Sequence, residues 1–358
     1  MTKQDQISQT LLKELPALLQ SGQSALPTEY ALCERFHVSR QTVRAALSHL
    51  EKEGYLKRRQ GSGSFLTGLL PDEKDNHIAL LLATDEAYIY PKIVKELLAQ
   101  FVKSGYQVSL YLTNDSVQTE REILLKLLES PPRGILVEGT KNGLPNPNLD
   151  LYLKLKKQCS IVFLHGLYPN FSDFVCVKDD NSGGAKLLTH YLTQKKHKKI
   201  AGIFEADTMQ GQERYLGFVR ELLENGLPVC EDCIFWFRYE ELRVIEEQRH
   251  TDFFMKLQKK LSSCSAVVCY NDEIAYGLMQ SLQASTLRVP EDLSIASFDG
   301  SYLHNLGSLS ITTLSHEKAS VSETAAHVLT ELLRGVSVSS KELSWQLVEG
   351  DSVMDSSF

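Results

Sequence analysis

From residue 77 onward the sequence alternates continuous apolar runs with helical stretches, and this alternation restricts the fold more than any other feature. The runs are HIALLLAT, YQVSLYLTN, GILVEG, SIVFLHG, DFVCVKDD, KKIAGIFE, DCIFWF, AVVCYND, LSIASFDG, ITTLSH and a final SWQLVE. Between them, helical spacing predicts helices at Pro91–Ser104, Gln118–Glu129, Asp150–Gln158, Ser182–Thr193, Glu213–Asn225, Glu246–Leu261, Glu273–Ala284 and Lys318–Arg334. Strands that are apolar along their whole length are covered on both faces, as in parallel sheets. The number of units is too large for one sheet and fits two doubly wound α/β lobes.

The first 68 residues follow a different pattern. MTKQDQISQTLLKELPALLQ places Ile7, Leu11, Leu15 and Leu18 at helical spacing, and it lacks the apolar core and small-residue site of a secretory leader. Thr28 is placed to cap a short helix ending at Phe36, and Ser39 a longer one with the stripe Val43, Ala46, Leu47 and Leu50. Two such helices joined at His37–Val38 make a helix-turn-helix, whose second member is the reading helix. Arg40 and Arg44 share one face of its first turns, with Gln41 and Thr42 beside them. Guanidinium groups there can bond guanine edges or phosphates, although a solvated helix face is the plain alternative. Tyr55–Arg58 and Ser64–Thr67 then read as two strands around a Gln60-Gly61-Ser62-Gly63 tip. Lys57, Arg58 and Arg59 lead into that tip, which suits a β-wing laid on DNA better than a nucleotide loop, because the GxxxxGK[ST] spacing is missing.

Charge divides in the same place. The whole chain carries −7, but residues 1–70 hold 9 Lys/Arg against 6 Asp/Glu, and the remainder 29 against 39. A basic head on an acidic body implies two parts with different partners. The Gly-Pro-charged segment 69–76 is the expected linker, giving domains of 1–68 and 77–358. Seven scattered cysteines do not form a disulfide framework, and the lone Cys230–Cys233 pair lacks the second pair of a zinc ribbon. No metal, cofactor or membrane span is expected, and the protein reads as cytosolic.

Doubly wound sheets bind ligands at the carboxyl ends of their strands. The polar residues there include Asp85, Tyr88, Tyr90, Glu138, Lys141, His165, Tyr168, Asp179, Asp180, Asp207, Gln210, Arg214, Asn271, Asp272, Asp299 and His316. Carboxylates, amides and arginine suit a polyhydroxylated ligand, because each can form paired hydrogen bonds to neighbouring hydroxyls. Tyr88, Tyr90 and Trp236 could pack on a sugar face. For Asp180, Asp207 and Asp272, each just before a helix, capping is the competing reading.

Two resemblances sharpen these expectations. The run LPTEYALCERFHVSRQTVRAALSHLEKEGYLKRRQGSGSF resembles the winged-helix domain of the GntR family. That resemblance implies that Glu29, Arg40, Arg44, Gln60 and Gly61 lie at DNA, with Thr28 and Ser39 on phosphates. The body resembles the LacI-family effector domain through VxxDDxxGG (Val177 to Gly184), the Gln210–Phe218 stretch, CYNDEIAYG, VPEDLSIASFDG and ITTL. It implies that Asp180, Arg214, Asn271, Asp299 and His316 face the effector.

A GntR head on a LacI body, with IYPKIV and the Ile135–Lys141 stretch, is most similar to the arabinose-operon repressors of Gram-positive bacteria. Glu138 and Lys141 then join a sugar site. The resemblance implies a homodimer, meeting partly through Pro91–Ser104, on a pseudo-palindromic operator that it leaves when L-arabinose or a related sugar binds. The linker lacks the hinge-helix pattern of ordinary LacI proteins, so their hinge-folding mechanism does not transfer. The alternatives are a purely sugar-binding receptor and an enzyme acting on sugars or nucleotides. The chain has no GxSxG, P-loop or HExxH motif.

Overall fold

The protein is described from a computed structural model at residues 3–21, 24–52, 54–59, 63–67, 76–238, 241, 250–283, 285–316 and 320–356. It divides into two compact units, Met1–Asn76 and His77–Phe358. The linker residues before Asn76 fall outside the described set.

In the first unit, α1 (Lys3–Gln20) turns Ile7, Leu11 and Leu15 onto α3 (Arg40–Lys52), whose Val43, Ala46, Leu47 and Leu50 are fully covered. Between them, α2 (Glu29–Phe36) begins where Thr28 Oγ1 accepts from the Ala31 amide and ends at His37 in the left-handed region. The Ser39 hydroxyl accepts from the Thr42 amide at 3.3 Å and opens α3. Strands β1 (Leu56–Arg59) and β2 (Gly63–Leu66) pair antiparallel as a wing. The residues read as a simple turn before α2 also join it: the Leu26 amide donates to Ser64 O, and the Leu66 amide to Ser24 O.

The second unit holds two lobes. In the first, a fully parallel sheet runs in the order β13-β7-β6-β5-β3-β4, from strands β3 (His77–Leu82), β4 (Gln107–Leu112), β5 (Gly134–Glu138), β6 (Ser160–Leu164), β7 (Val175–Asp179) and β13 (Lys341–Leu343). Helices α4 (Tyr90–Lys103) and α11 (Val321–Leu333) cover one face, and α5 (Val117–Glu129) and α6 (Leu149–Leu155) the other.

In the second lobe, the parallel order is β11-β10-β8-β9, from β8 (Ile200–Glu205), β9 (Ile234–Phe237), β10 (Ala266–Cys269) and β11 (Ser294–Ala296). Helices α7 (Asn181–Gln194) and α8 (Met209–Glu224) pack on one face, with α9 (His250–Leu261) and α10 (Asp272–Leu282) on the other. Of the expected helix 246–261, residues 246–249 lie outside the described set. Helices α7 and α8 approach so closely at Gly217 that a Cβ there would meet Ser182 O at 2.0 Å.

The chain passes between the lobes three times: from β7 into α7, from β12 (Thr313–Ser315) into α11, and from β13 into β14 (Gln346–Val348). The expected final strand SWQLVE holds β14, and a strand not expected, β13, precedes it. Lys341–Leu343 pairs with β7 in one lobe, whereas Gln346–Val348 pairs with β12 beside the other. The bend at Ser344–Trp345 is where the chain changes lobes.

Candidate functional sites

On the head, one carboxylate organises three cations. Glu29 sits in the first turn of α2, where the helix dipole favours negative charge. Its Oε2 accepts from Arg40 Nε at 2.8 Å and Arg44 Nε at 3.0 Å, and its Oε1 from Arg58 Nη2 at 2.8 Å. The hydrogen bond from Arg40, then that from Arg44, hold the carboxyl below the usual range against the opposing effect of burial. Arg40 and Arg44 remain 69% and 56% exposed, which leaves their outer N–H edges open. Thr28, Ser39, Gln41 and Lys57 are also exposed, and Thr42 is half-buried. Gln60 and Gly61 lie outside the described residues. What remains is a reading helix whose guanidinium groups are fixed in direction before any nucleic acid arrives, and charge-assisted bonds of this kind suit phosphate or guanine.

In the body, a cleft opens at the carboxyl ends of β3, β5, β6, β8, β9 and β10. About 970 Å³ of space, counted with the solvent at its mouth, lies within the cleft. Of the expected effector residues, Tyr90, Glu138, Lys141, His165, Gln210, Arg214, Asn271 and Asp299 line it. Glu138 accepts from Tyr90 Oη at 3.0 Å and from the Ala83 amide at 3.2 Å. Lys141 reaches within 3.9 Å of Asp115.

Arg214 is 1% exposed and fixed on every side. Its Nε donates to Asn181 Oδ1 at 3.1 Å, Nη1 to the Tyr270 carbonyl, and Nη2 to Asp299 Oδ1 at 3.3 Å. The guanidinium also lies over the rings of Phe298 and Tyr270, at 4.1 and 4.8 Å. Burial raises the Asp299 carboxyl, and Arg214 opposes that rise. Tyr88 donates to Asp299 Oδ2 at 3.0 Å across the cleft.

Two buried polar atoms in this lining, His165 Nδ1 and Thr140 Oγ1, have no hydrogen-bond partner among the described residues. Buried polar groups are nearly always paired, so a ligand or an ordered water is the partner that these two lining residues call for.

Beside the cleft the lobes are joined by backbone. Gly143 donates to the Asp207 carbonyl at 3.0 Å, Asn142 Oδ1 accepts from the Met209 amide at 2.7 Å, and Gln212 donates to the Gly143 carbonyl at 3.2 Å.

Three expected ligands lie off the cleft lining. Asp180 caps α7, accepting from the Gly183 amide at 2.8 Å. The Asp207 carbonyl serves the latch just described, and its side chain is absent from the lining. His316 faces Asp179 at 2.7 Å, among the crossovers. Asp180 and His316 follow strands that continue into the other lobe, so their side chains meet the hinge. Trp236 is likewise corrected: it packs outward on Tyr215, and its neighbour Phe237 lines the cleft. Strand alternation carried that signal, since successive side chains of β9 face opposite ways.

The lining also holds Asp115, Asn142, Glu205, Thr208, Tyr270 and Glu273, none of them expected as ligands. Glu205 ends β8 and was passed over for Asp207. Burial pushes its carboxyl up to about 8, partly offset by a hydrogen bond with Tyr270.

Among the described residues, no group of three His, Cys, Asp or Glu side chains is placed to hold a metal ion, and no helix is long and apolar enough to cross a membrane.

Residues 3–66 match the profile of bacterial regulatory proteins of the gntR family, and residues 189–353 that of a periplasmic binding protein-like domain. An arabinose metabolism transcriptional repressor of Geobacillus stearothermophilus is 33% identical over 92% of this chain and 91% of its own. One from Halalkalibacterium halodurans is 31% identical, covering 84% of this chain and 81% of its own. Among solved structures, a periplasmic binding protein/LacI transcriptional regulator from Alkaliphilus metalliredigens, complexed with D-xylulofuranose, superposes with a TM-score of 0.66 at 18% identity, over 78% of this chain and all of that one. The regulator CcpA of Lactococcus lactis gives 0.66 at 20% identity, over 78% of this chain and 99% of its own. These two likenesses concern the fold.

Proposed function

This chain belongs to the family of arabinose metabolism transcriptional repressors, sugar-responsive DNA-binding proteins, and from that premise we propose that L-arabinose or a close aldopentose is its effector. The observation that carries the proposal is the cleft lining. His165 Nδ1 and Thr140 Oγ1 are buried without partners, beside carboxylates and an arginine already fixed in direction. A ring with adjacent hydroxyls satisfies such a set, because each hydroxyl donates once and accepts twice. The effector residues are Tyr90, Glu138, Lys141, His165, Gln210, Arg214, Asn271 and Asp299. The DNA residues are Thr28, Glu29, Ser39, Arg40, Gln41, Thr42, Arg44, Lys57 and Arg58, together with Gln60 and Gly61 of the wing tip. Two heads of a cytoplasmic homodimer bind the halves of a pseudo-palindromic operator, and sugar held between the lobes releases them, without turnover of the sugar.

Calorimetry against L-arabinose, D-xylose, D-ribose and D-galactose, paired with an operator shift assay, tests this reading. L-arabinose is expected to bind and to lower operator affinity by about 5- to 150-fold, the usual span of allosteric coupling. Heat from a hexose alone, or undiminished operator binding at saturating L-arabinose, would overturn it.

A further inference from the structure

Where the three crossovers run together, one imidazole touches all of them. His316 follows β12, and its Nε2 lies 2.7 Å from Asp179 Oδ1 at the end of β7, a charge contact without the alignment of a hydrogen bond. Its Nδ1 lies 3.2 Å from the Ser344 carbonyl, on the passage from β13 to β14. A carbonyl only accepts, so Nδ1 carries a hydrogen, and a carboxylate this close to Nε2 favours the charged ring by proximity. The ring stacks on Trp345, centroids 4.2 Å apart and 19° from parallel. That indole in turn lies 5.9 Å from the Arg214 guanidinium of the cleft. The Trp345 N–H is buried with no acceptor among the described residues.

We propose that His316 is a positioning residue for induction: its pair with Asp179, stacked on Trp345, clasps the three crossovers and favours the lobe arrangement in which the cleft is latched. The proposal rests on the sugar-responsive reading. Changing the angle between lobes turns the crossovers against one another, which separates Asp179 from His316 and unstacks the rings. Arg214 touches both the cleft and Trp345, so an occupied cleft and a closed clasp favour each other.

The charged groups around the ring are Asp179, the more distant Asp299, Arg214 beyond the indole, and the Lys178–Glu342 pair on the flanking strands. Burial works against a charged imidazole, but Asp179, the Ser344 carbonyl and Asp299 together outweigh it and raise the group from 6.5. The clasp is therefore charged below that raised value and loosens as pH climbs through it.

The full-length chain carrying Trp236→Phe leaves Trp345 as the sole indole. Its emission, quenched by a stacked imidazolium, is expected to rise with pH through a midpoint above 6.5, and His316→Gln is expected to abolish that transition. In calorimetry, His316→Gln and Asp179→Asn are each expected to weaken L-arabinose binding by about 5- to 20-fold, with the double variant no weaker than either single one. An emission transition that survives His316→Gln, or single variants binding sugar within about twofold of the parent, would overturn the clasp. Asp179→Asn, nearly isosteric, decides the matter by the same readouts if His316→Gln does not fold. A parent that binds no sugar overturns the effector reading instead, and the emission titration then judges the clasp by itself.

Discussion

Arg44 and Glu205 show what a single side chain does in each half of the molecule. Arg44 keeps its outer edge exposed while Glu29 fixes its direction. Arg44→Ala is expected to weaken operator binding by about 5- to 150-fold, since one bidentate base contact is worth about 1–3 kcal/mol, and to leave L-arabinose binding unchanged. A shift assay and calorimetry on the same preparation check both halves of that statement. Glu205 behaves in the opposite sense from a surface carboxylate. Its folded-state value is raised to about 8 from 4.5, so between those values the folded chain holds a proton that the unfolded chain has released. Its contribution to stability is complete below 4.5 and is lost as pH rises towards 8, by about 1.4 kcal/mol per unit at most. Glu205→Gln keeps a neutral side chain at every pH. Melting curves at pH 6 and pH 8 should therefore show a smaller fall for this variant than for the parent. Residue identities at the cleft were readable where a strand simply ends, as at Glu138, Asn271 and Asp299. They were misleading at Asp180 and His316, because a linear pattern does not say whether a strand stops or crosses to the other lobe.

At the scale of elements, continuous apolarity announced the parallel strands and their helices, since burial on both faces leaves little room for polar alternation. The strand Lys341–Leu343 was not legible: it is three residues long, two of them charged, and only its pairing with β7, distant in sequence, marks it. The latch loop after β5 was hidden for a similar reason, because each of its bonds across to Asp207 and α8 has a backbone atom on at least one side. Gly143 is the sensitive point of that loop. A Cβ there would meet the backbone carbon of Thr208 and Gln212 Nε2 at 2.7 Å. Gly143→Ala is expected to push the loop off α8 and weaken sugar binding by about 5- to 10-fold. The head should be untouched, so operator affinity without sugar should match the parent in a shift assay.

For the whole molecule, the division of charge governs how the repressor responds to salt. The head's excess is small, and its candidate phosphate-facing cations number four: Arg40, Arg44, Lys57 and Arg58. Two heads then displace at most about eight counterions, so a log–log plot of operator affinity against salt should have a slope no steeper than about −7. Filter binding from 50 to 200 mM KCl measures it, and a much steeper slope would mean that cations beyond these four, in the head or outside it, also reach the DNA. The acidic body, with 39 Asp/Glu against 29 Lys/Arg after residue 70, adds nothing to that attraction.

The triple pairing at Glu29 has a consequence for time as well as for affinity. Off the operator, the three guanidinium groups share one carboxylate, so a stray phosphate at their open edges meets a charge already partly compensated. Random duplex is thus held briefly, and the head moves on. Glu29→Gln removes the compensating charge, and single-molecule tracking on operator-free DNA should then show longer pauses and slower diffusion. Unchanged dwell times would mean that the carboxylate shapes the reading surface without setting the pace of the search.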